Sequence, residues 1–399
     1  MLPMLLLATM AATCESLAML ALPDTTIVSA VLVTEGPFTP PTAATPAPTG
    51  GPPARPLRVP AACRVVGRVQ PAINFEVWMP VSNWNGKFQA VGGGGFAGVI
   101  SYGAIATALN RGYATASTDT GHSTPGGSWA LGHPELVIDF GYRAIHEMTV
   151  KAKAIIASFY GNGPRYSYFV GCSTGGRQGL MEAQRFPNDY DGIVAGAPAN
   201  YWTRMPAGNL FTAAATLKDD ATRLPAPKLA ALNKAAIAAC DARDGVTDGL
   251  IENPRECRFD PGALQCSSDE TDACLTAAQV GAARKLYTSA VNPRTQEEIF
   301  PGMVPGSETT WGALETDDFV RLFMAPGMLH CAGGPGPNTF DAVTALEQWV
   351  EQRKKPAQLV ASHSTNGTVD RTRPLCPYPQ VAAYTGSGSI DEAASFVCK

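Results

Sequence analysis

The order of apolar and polar positions predicts alternating strands and helices over the first half of the chain. Alternating or β-branched runs are typical of strands, and apolar residues three or four positions apart are typical of helices. Such alternation predicts a mostly parallel sheet that is covered by helices on both faces. The predicted strands are 25–33, 73–80, 87–91, 113–118, 166–170 and 193–196, and the predicted helices include 136–160 and one that follows residue 173.

The pattern changes between residues 201 and 316, where strand signals are weak and short helical patches alternate with Cys, Asp, Gly and Pro. This change predicts a cap inserted into the α/β core. Beyond it, an apolar strand pattern at 319–323, an amphipathic helix and a further strand indicate a return to the core. The predicted organisation is a core of 14–200 and 317–399 with a cap of 201–316.

Composition narrows the classes of function. The chain has 399 residues, a net charge of −4 and no basic run, so we expect no nucleic-acid partner. No run reaches 18 apolar residues, so we expect no membrane span. Residues 1–13 are apolar and end in small residues, which is typical of a secretory signal peptide, although a positively charged start is missing.

The cysteines predict structural disulfides. There are ten of them without a C-x-x-C pair, and only five histidines, which makes a zinc site hard to build. Disulfides persist in oxidising compartments. Together with the apolar start, they predict a secreted or periplasmic protein.

A glycine-bracketed serine, Ser173 in Gly171-Cys172-Ser173-Thr174-Gly175, lies between a predicted strand and a predicted helix. This G-x-S-x-G context is that of a nucleophile elbow, in which glycines let strand and helix approach closely. The amide of Thr174 would then point toward the reacting carbonyl as an oxyanion donor. An ordinary strand–helix loop is the alternative, since Gly and Ser also mark such loops.

Four glycines, Gly92 to Gly95, follow the predicted strand 87–91. They are compatible with a simple tight turn. In a serine hydrolase such an early glycine-rich loop supplies the second oxyanion amide. Given the elbow downstream, Gly93 or Gly94 is the predicted donor.

His330 is the candidate general base because it follows a predicted strand and precedes Cys331, as Cys172 precedes Ser173. A bridge between Cys172 and Cys331 would hold the two segments together, since bridged Cα atoms lie about 4.4–6.8 Å apart. Ser173 as nucleophile and His330 as its base then form one hypothesis. The remaining histidines lie on a loop, on a helix face or just past a strand.

Several longer stretches resemble the tannase and feruloyl esterase family, which includes a mono(hydroxyethyl) terephthalate hydrolase. The resemblance extends from about Cys14 to Cys398 and implies an α/β-hydrolase core whose catalytic triad is Ser, Asp and His. It implies catalytic roles for Ser173 and His330 and a disulfide between Cys172 and Cys331. The matching stretches include NWNGKFQAVGGGGFAG, STDTGH, YFVGCSTGGRQGLMEAQRFPNDYDGIVAGAPANYW and RLFMAPGMLHCAGGPGPN.

The same resemblance implies a structural Ca²⁺ site in CDARDGVTDGLIENPREC, with hard oxygen ligands on a glycine-bent loop. The expected ligands are carboxylates of Asp241, Asp244 and Asp248 and backbone oxygens of Val246 and Leu250. The remaining bridges would be Cys14–Cys63, Cys240–Cys257, Cys266–Cys274 and Cys376–Cys398.

The segment that carries the triad acid in the family has no counterpart in this sequence. Asp317 and Asp318 are the nearest carboxylates, but they precede the predicted strand 319–323. At about 3.3 Å per residue, this strand would place them roughly 16 Å from its far end, where His330 lies. The cap and one core strand are therefore predicted to be shortened.

The predicted function is hydrolysis of esters of aromatic acids, such as galloyl or feruloyl groups, by a secreted serine carboxylesterase. Loss of a triad acid costs about 10⁴-fold in kcat, but a remaining dyad with its oxyanion hole still exceeds water. Three alternatives stay open: an esterase with a replacement acid, an inactive secreted relative that acts as a binding protein, and an internally deleted remnant.

Overall fold

The structure is a computed structural model that describes residues 12–41, 56–123, 126–217, 219–308 and 323–399. Its contacts divide the chain into two compact units, Met1–Pro198 and Ala199–Lys399. Most of the predicted signal segment, residues 1–11, lies outside the described residues. The candidate acids Asp317 and Asp318 lie outside them as well.

The first unit is built on a seven-stranded sheet. Its strand order is β1-β4-β5-β7-β6-β8-β9, and a separate two-stranded sheet joins β2 to β3. The strands are β1 (Thr25–Val33), β2 (Gly36–Phe38), β3 (Leu57–Val59), β4 (Ala62–Val69), β5 (Ile73–Pro80), β6 (Lys87–Val91), β7 (Ala114–Thr118), β8 (Tyr166–Cys172) and β9 (Gly192–Gly196).

The prediction of a mostly parallel sheet is wrong for these strands. The pairs β1–β4, β4–β5 and β5–β7 are antiparallel, and the pairs β7–β6, β6–β8 and β8–β9 are parallel. Strand β4, which the sequence pattern does not single out, is joined to β5 by a short turn. Such a turn can join only antiparallel neighbours, whereas parallel strands need a crossover.

Helices cover both faces of the sheet, as predicted. Alternate residues of β5 point to opposite sides: Phe75 and Val77 pack in the cluster that contains α3, and Trp78 packs with α1. The helices of this unit are α1 (Tyr102–Asn110), α2 (Pro134–Ile138), α3 (Ala144–Tyr160) and α4 (Thr174–Arg185).

The single helix predicted over 136–160 is interrupted by a π-helical segment, Asp139–Arg143. Asp139 is fully buried and accepts a hydrogen bond of 2.5 Å from Nε of Arg143. Arg177 of α4 donates to the carbonyls of Phe140 and Gly141, so these groups are satisfied without regular α-helical pairing. Short π segments of this kind often lie at functional sites.

The second unit contains short antiparallel sheets and helices. Within it, β10 pairs with β11, β12 with β13, and β14 with β15. Its elements are α5 (Met205–Leu217), α6 (Ala226–Cys240), α7 (Ala277–Leu286), β10 (Ala290–Val291), β11 (Glu298–Phe300), α8 (Ala342–Gln352), β12 (Leu359–Thr365), β13 (Thr368–Leu375), β14 (Ala382–Tyr384) and β15 (Phe396–Cys398).

This division differs from the predicted one, because residues 323–399 group with the predicted cap rather than with residues 14–200. The strands after residue 323 pair with one another, and none of them is part of the seven-stranded sheet. Of the predicted strand 319–323, only Phe323 is described, and it forms an isolated bridge with Pro377. The boundaries of core and cap stay a prediction.

Four disulfides are formed within the two units. Cys14–Cys63 lies in the first unit, and Cys240–Cys257, Cys266–Cys274 and Cys376–Cys398 lie in the second. Across the part of the chain that is described, no helix combines the length and apolar character needed to cross a bilayer.

Candidate active site

Ser173 stands at the junction between β8, which ends at Cys172, and α4, which begins at Thr174. Its backbone has φ 62° and ψ −119°, in the positive-φ region that residues other than glycine rarely adopt. A strand followed by such a serine and a helix is the geometry of a nucleophile elbow. The structure therefore forms the local turn that the sequence predicts.

Glycines around the elbow are required by the close approach of backbones. A Cβ atom on Gly171 would lie 2.5 Å from the carbonyl of Gly175, and one on Gly176 would lie 2.3 Å from the carbonyl oxygen of Gly196. A Cβ on Gly92 would lie 2.6 Å from the Cα of Gly175. The contact between Gly92 and Gly175 brings the loop after β6 against the first turn of α4.

The loop after β6 places Gly94 beside this first turn. The hydroxyl of Thr174 donates a hydrogen bond to the carbonyl of Gly95, which joins the two segments. The amide of Gly93 donates to Oε1 of Gln178 at 3.0 Å, so it is engaged within the protein. Within the described ranges, the amides of Gly94 and Thr174 donate no hydrogen bond, which leaves Gly94 as the better of the two predicted donors.

His122 supports the loop after β6 through a hydrogen bond to its backbone. The sequence pattern does not predict this role. Its Nε2 lies 2.6 Å from the carbonyl oxygen of Phe96, which requires a proton on Nε2. The ring is buried and stacks on Trp129 with 4.0 Å between ring centroids. His122 lies in the loop that follows β7, four residues beyond the end of that strand, and this position at the carboxyl end of a parallel strand is the sequence signal that could have identified it.

Asp119 and Arg177 join backbone segments near the elbow through hydrogen bonds. Asp119 accepts hydrogen bonds from the amides of Asn74 and Gly121 at 3.0 and 2.9 Å, while burial raises the pKa of its carboxyl group. Arg177 lies over the ring of Phe140 at 4.6 Å, and burial lowers its pKa to about 10. Arg177 therefore links the nucleophile helix to the π segment.

His330 lies in the second unit, in an exposed bend that follows Gly327. Among the described residues, no carboxylate forms a hydrogen bond or an ion pair with it. The next residue, Cys331, has φ 69°. Cys172 and Cys331 are both disulfide-bonded, and their pairing with each other stays a prediction.

The predicted calcium ligands share one loop of the second unit. The amides of Asp248 and Gly249 donate to the carboxylate of Asp241 at 3.1 and 2.9 Å, and the amide of Val246 donates to Asp244 at 2.9 Å. Arg373 donates to Oδ2 of Asp248 at 2.6 Å.

The donor chemistry of this loop fits a hard cation. Val246 and Leu250 are each 5% exposed, yet no described donor reaches their backbone carbonyls. Burial raises the pKa of Asp244, with contributions from the charges of Asp248 and Asp241. Glu252, which the sequence analysis did not single out, has its pKa raised to about 7, mainly by burial. Unpaired buried carbonyls beside several carboxylates are what Ca²⁺ coordination satisfies.

Comparison with known proteins shows the family to which the chain belongs. The sequence profile described as "Tannase and feruloyl esterase" matches residues 57–314 and 307–399. The chain is 34% identical to an uncharacterised esterase of Xanthomonas campestris pv. campestris, covering 98% of this chain and 92% of the relative. That alignment spans 538 positions, more than the 399 residues of the chain, so the relative carries residues that this chain lacks.

Two further relatives agree. Mono(2-hydroxyethyl) terephthalate hydrolase of Piscinibacter sakaiensis is 31% identical, covering 82% of this chain and 81% of the relative. Feruloyl esterase B of Aspergillus oryzae superposes with a TM-score of 0.87 at 26% identity, covering 97% of this chain and 99% of the other. The chain belongs to the tannase and feruloyl esterase family and is a carboxylic ester hydrolase of that type.

Proposed function

We propose that the protein is a secreted serine carboxylesterase that hydrolyses esters of aromatic acids, with Ser173 as its nucleophile. The observation that carries this proposal is the positive-φ conformation of Ser173 between β8 and α4. The amides of Thr174 and Gly94 beside it have no acceptor within the described part of the protein. The names of the relatives support aromatic acyl groups, since two of them refer to feruloyl and terephthalate esters.

In this mechanism, Oγ of Ser173 attacks the ester carbonyl carbon while His330 accepts the hydroxyl proton. The carbonyl oxygen becomes an oxyanion that the amides of Thr174 and Gly94 stabilise. Collapse expels the alcohol, which takes the proton from His330 and leaves an acyl-enzyme. Water, deprotonated by His330, then attacks the acyl group and releases the acid.

Because the sequence has no counterpart of the segment that carries the family's triad acid, we expect a low rate of ester hydrolysis. The two family matches overlap at residues 307–314, most of which fall within the undescribed residues 309–322. We infer that the residues lacking relative to the Xanthomonas esterase belong at this junction. A Ser-His dyad with its oxyanion hole would retain a rate about 10³–10⁴ above water. The protein is therefore proposed to be a slow esterase.

The second candidate is an inactive relative that binds aromatic esters without turnover. It is favoured by one observation: among the described residues, His330 has no carboxylate partner. Without an orienting acid, the imidazole is not fixed in the tautomer that accepts the serine proton.

The deciding experiment is hydrolysis of an activated aryl ester and of methyl ferulate by the oxidised protein and by Ser173→Ala. We expect slow turnover that falls to background in Ser173→Ala, with an unchanged far-UV circular dichroism spectrum. Ser158→Ala is the matched control, because among the described residues the Ser158 hydroxyl donates only to the carbonyl of Ala154, within α3. Undiminished turnover by Ser173→Ala would contradict the nucleophile, and no turnover by the folded wild type would favour the inactive relative.

We also propose that Ca²⁺ binds the loop of Asp241, Asp244 and Asp248, with backbone oxygens of Val246 and Leu250 as further ligands. The ion would neutralise carboxylates that Arg373 balances only in part. Its role would be structural, since it would satisfy buried oxygens of the second unit.

A further inference from the structure

A second cluster of ligand-type side chains lies in the first unit. His146 is on α3, Glu182 is in the last turn of α4, and Asp189 follows α4 before β9. One donor atom from each residue lies within 4.8 Å of the other two. Glu182 is roughly 12 Å along α4 from its first residue, so the cluster is separate from the elbow.

Glu182 supplies an independent observation. Its side chain is buried, with the residue 1% exposed, and neither carboxylate oxygen has a hydrogen-bond donor among the described residues. A buried carboxylate without a partner is costly, because desolvation of the charge is not offset. The carboxylate of Glu182 therefore needs a bound cation or a proton beside it.

The surrounding cations do not supply this partner. Lys153 donates from Nζ to the backbone carbonyl of Asp189, and Arg185 lies over the ring of Tyr142 at 4.0 Å. Within the cluster, Nδ1 of His146 lies at hydrogen-bond distance, 2.7 Å, from Oδ2 of Asp189.

We propose that His146, Glu182 and Asp189 form a binding site for a divalent transition-metal ion, and Zn²⁺ is the ion used to test it. One imidazole nitrogen with two carboxylates favours such an ion over Ca²⁺, which prefers oxygen ligands alone. The side chain of His146 is 30% exposed, so solvent reaches the cluster and a water could serve as the fourth ligand. The ion would join α3 to the end of the nucleophile helix.

The alternative occupant is a proton shared between the carboxyl groups of Glu182 and Asp189. Metal binding distinguishes the two, since a shared proton needs no ion. The full-length protein is stripped with a chelator, saturated with Ca²⁺ to fill the oxygen-rich loop, and titrated with Zn²⁺ by calorimetry. We expect about one equivalent to bind, and at least about a tenfold weaker affinity in Glu182→Gln, which keeps the shape of the side chain.

Glu147→Gln is the matched control, because Glu147 also lies on α3 and pairs with Lys151 outside the cluster. It should bind Zn²⁺ as the wild type does. Titration of the wild type with Co²⁺ adds a readout that needs no variant, since coordination by nitrogen and oxygen ligands gives visible absorption that Zn²⁺ should abolish. Absence of Zn²⁺ binding by the wild type, or equal affinity in Glu182→Gln, would overturn the site and leave the shared proton.

Discussion

The first unit buries its apolar side chains in large clusters on both faces of a seven-stranded sheet. In the second unit, the clusters formed by described residues contain three or four buried residues each. Three of the four described bridges lie in this second unit. A small apolar core stabilises less than a large one, so cross-links carry more of the stability there.

The comparison shows why the positions of the proposed nucleophile and of its proposed base are determined in different ways. Ser173 directly follows β8, which is paired with β6 on one side and β9 on the other, so the sheet determines its position. His330 lies in an exposed bend of a unit that depends on local cross-links. Geometry at Ser173 is fixed by packing, while geometry at His330 depends on bridges and loops.

Reduction of the disulfides should give the largest difference between the units. Loss of a native bridge costs about 2–5 kcal/mol in small disulfide-bonded domains, and the second unit would lose three. We expect limited proteolysis of the reduced protein to cleave within residues 199–399 first, while the unreduced protein resists. Earlier cleavage within the seven-stranded sheet would show that the first unit, and not the second, depends more on its disulfides.

Calcium removal should also weaken the second unit selectively. An ion at 100 times its Kd stabilises the folded state by about 2.7 kcal/mol, so chelation should lower Tm. Asp248→Asn should remove this response. Asp260→Asn should keep it, because Asp260 is exposed and pairs with Arg284 at 2.8 Å. A Tm that is unchanged by chelation in the wild type counts against the calcium proposal.

Gly176→Ala tests the first unit, where packing sets the geometry. The added methyl group would lie 2.3 Å from the carbonyl oxygen of Gly196, and overpacking of this kind costs about 1–3 kcal/mol. Urea unfolding should show that loss. Gly103→Ala in α1 meets no atom within 4 Å and should raise the free energy of unfolding by up to about 1 kcal/mol. Equal effects of the two changes would refute the packing argument.

His122→Ala should lower the rate, and it should also lower the stability, because it removes a buried ring that stacks on Trp129. The carbonyl of Phe96 would lose its donor and the glycine loop its support, so kcat should fall about tenfold with little change in KM. His133→Ala is the control, since His133 is exposed and contacts only Glu135 at 3.3 Å. A change in KM alone would indicate substrate binding instead.

Sequence patterns predicted the first unit well because burial and periodicity coincide there. Residues of β5 alternate between the two clusters, and the same alternation in the sequence predicts its bounds. Strand β4 was missed because its arginines and glycine interrupt the apolar pattern. With β4 missed, the antiparallel half of the sheet could not be inferred.

At the candidate site, the elbow was predictable because glycine spacing is a local property. The engagement of Gly93 by Gln178 was not, since these residues are far apart in sequence. The same holds for His122, whose role depends on its contact with Phe96, and for Glu182, whose unpaired carboxylate is visible only in three dimensions. The four described disulfides followed from family resemblance rather than from any spacing rule.

The backbone conformation of Ser173 carries an energetic cost that its proposed role as nucleophile requires. A residue other than glycine at φ 62° and ψ −119° is destabilised by about 1–3 kcal/mol, which glycine would relieve. A screen for thermostability alone would therefore favour Ser173→Gly and remove the proposed nucleophile in the same step. Selection for activity opposes that exchange, so engineering of this protein has to exclude position 173 from its stabilising substitutions.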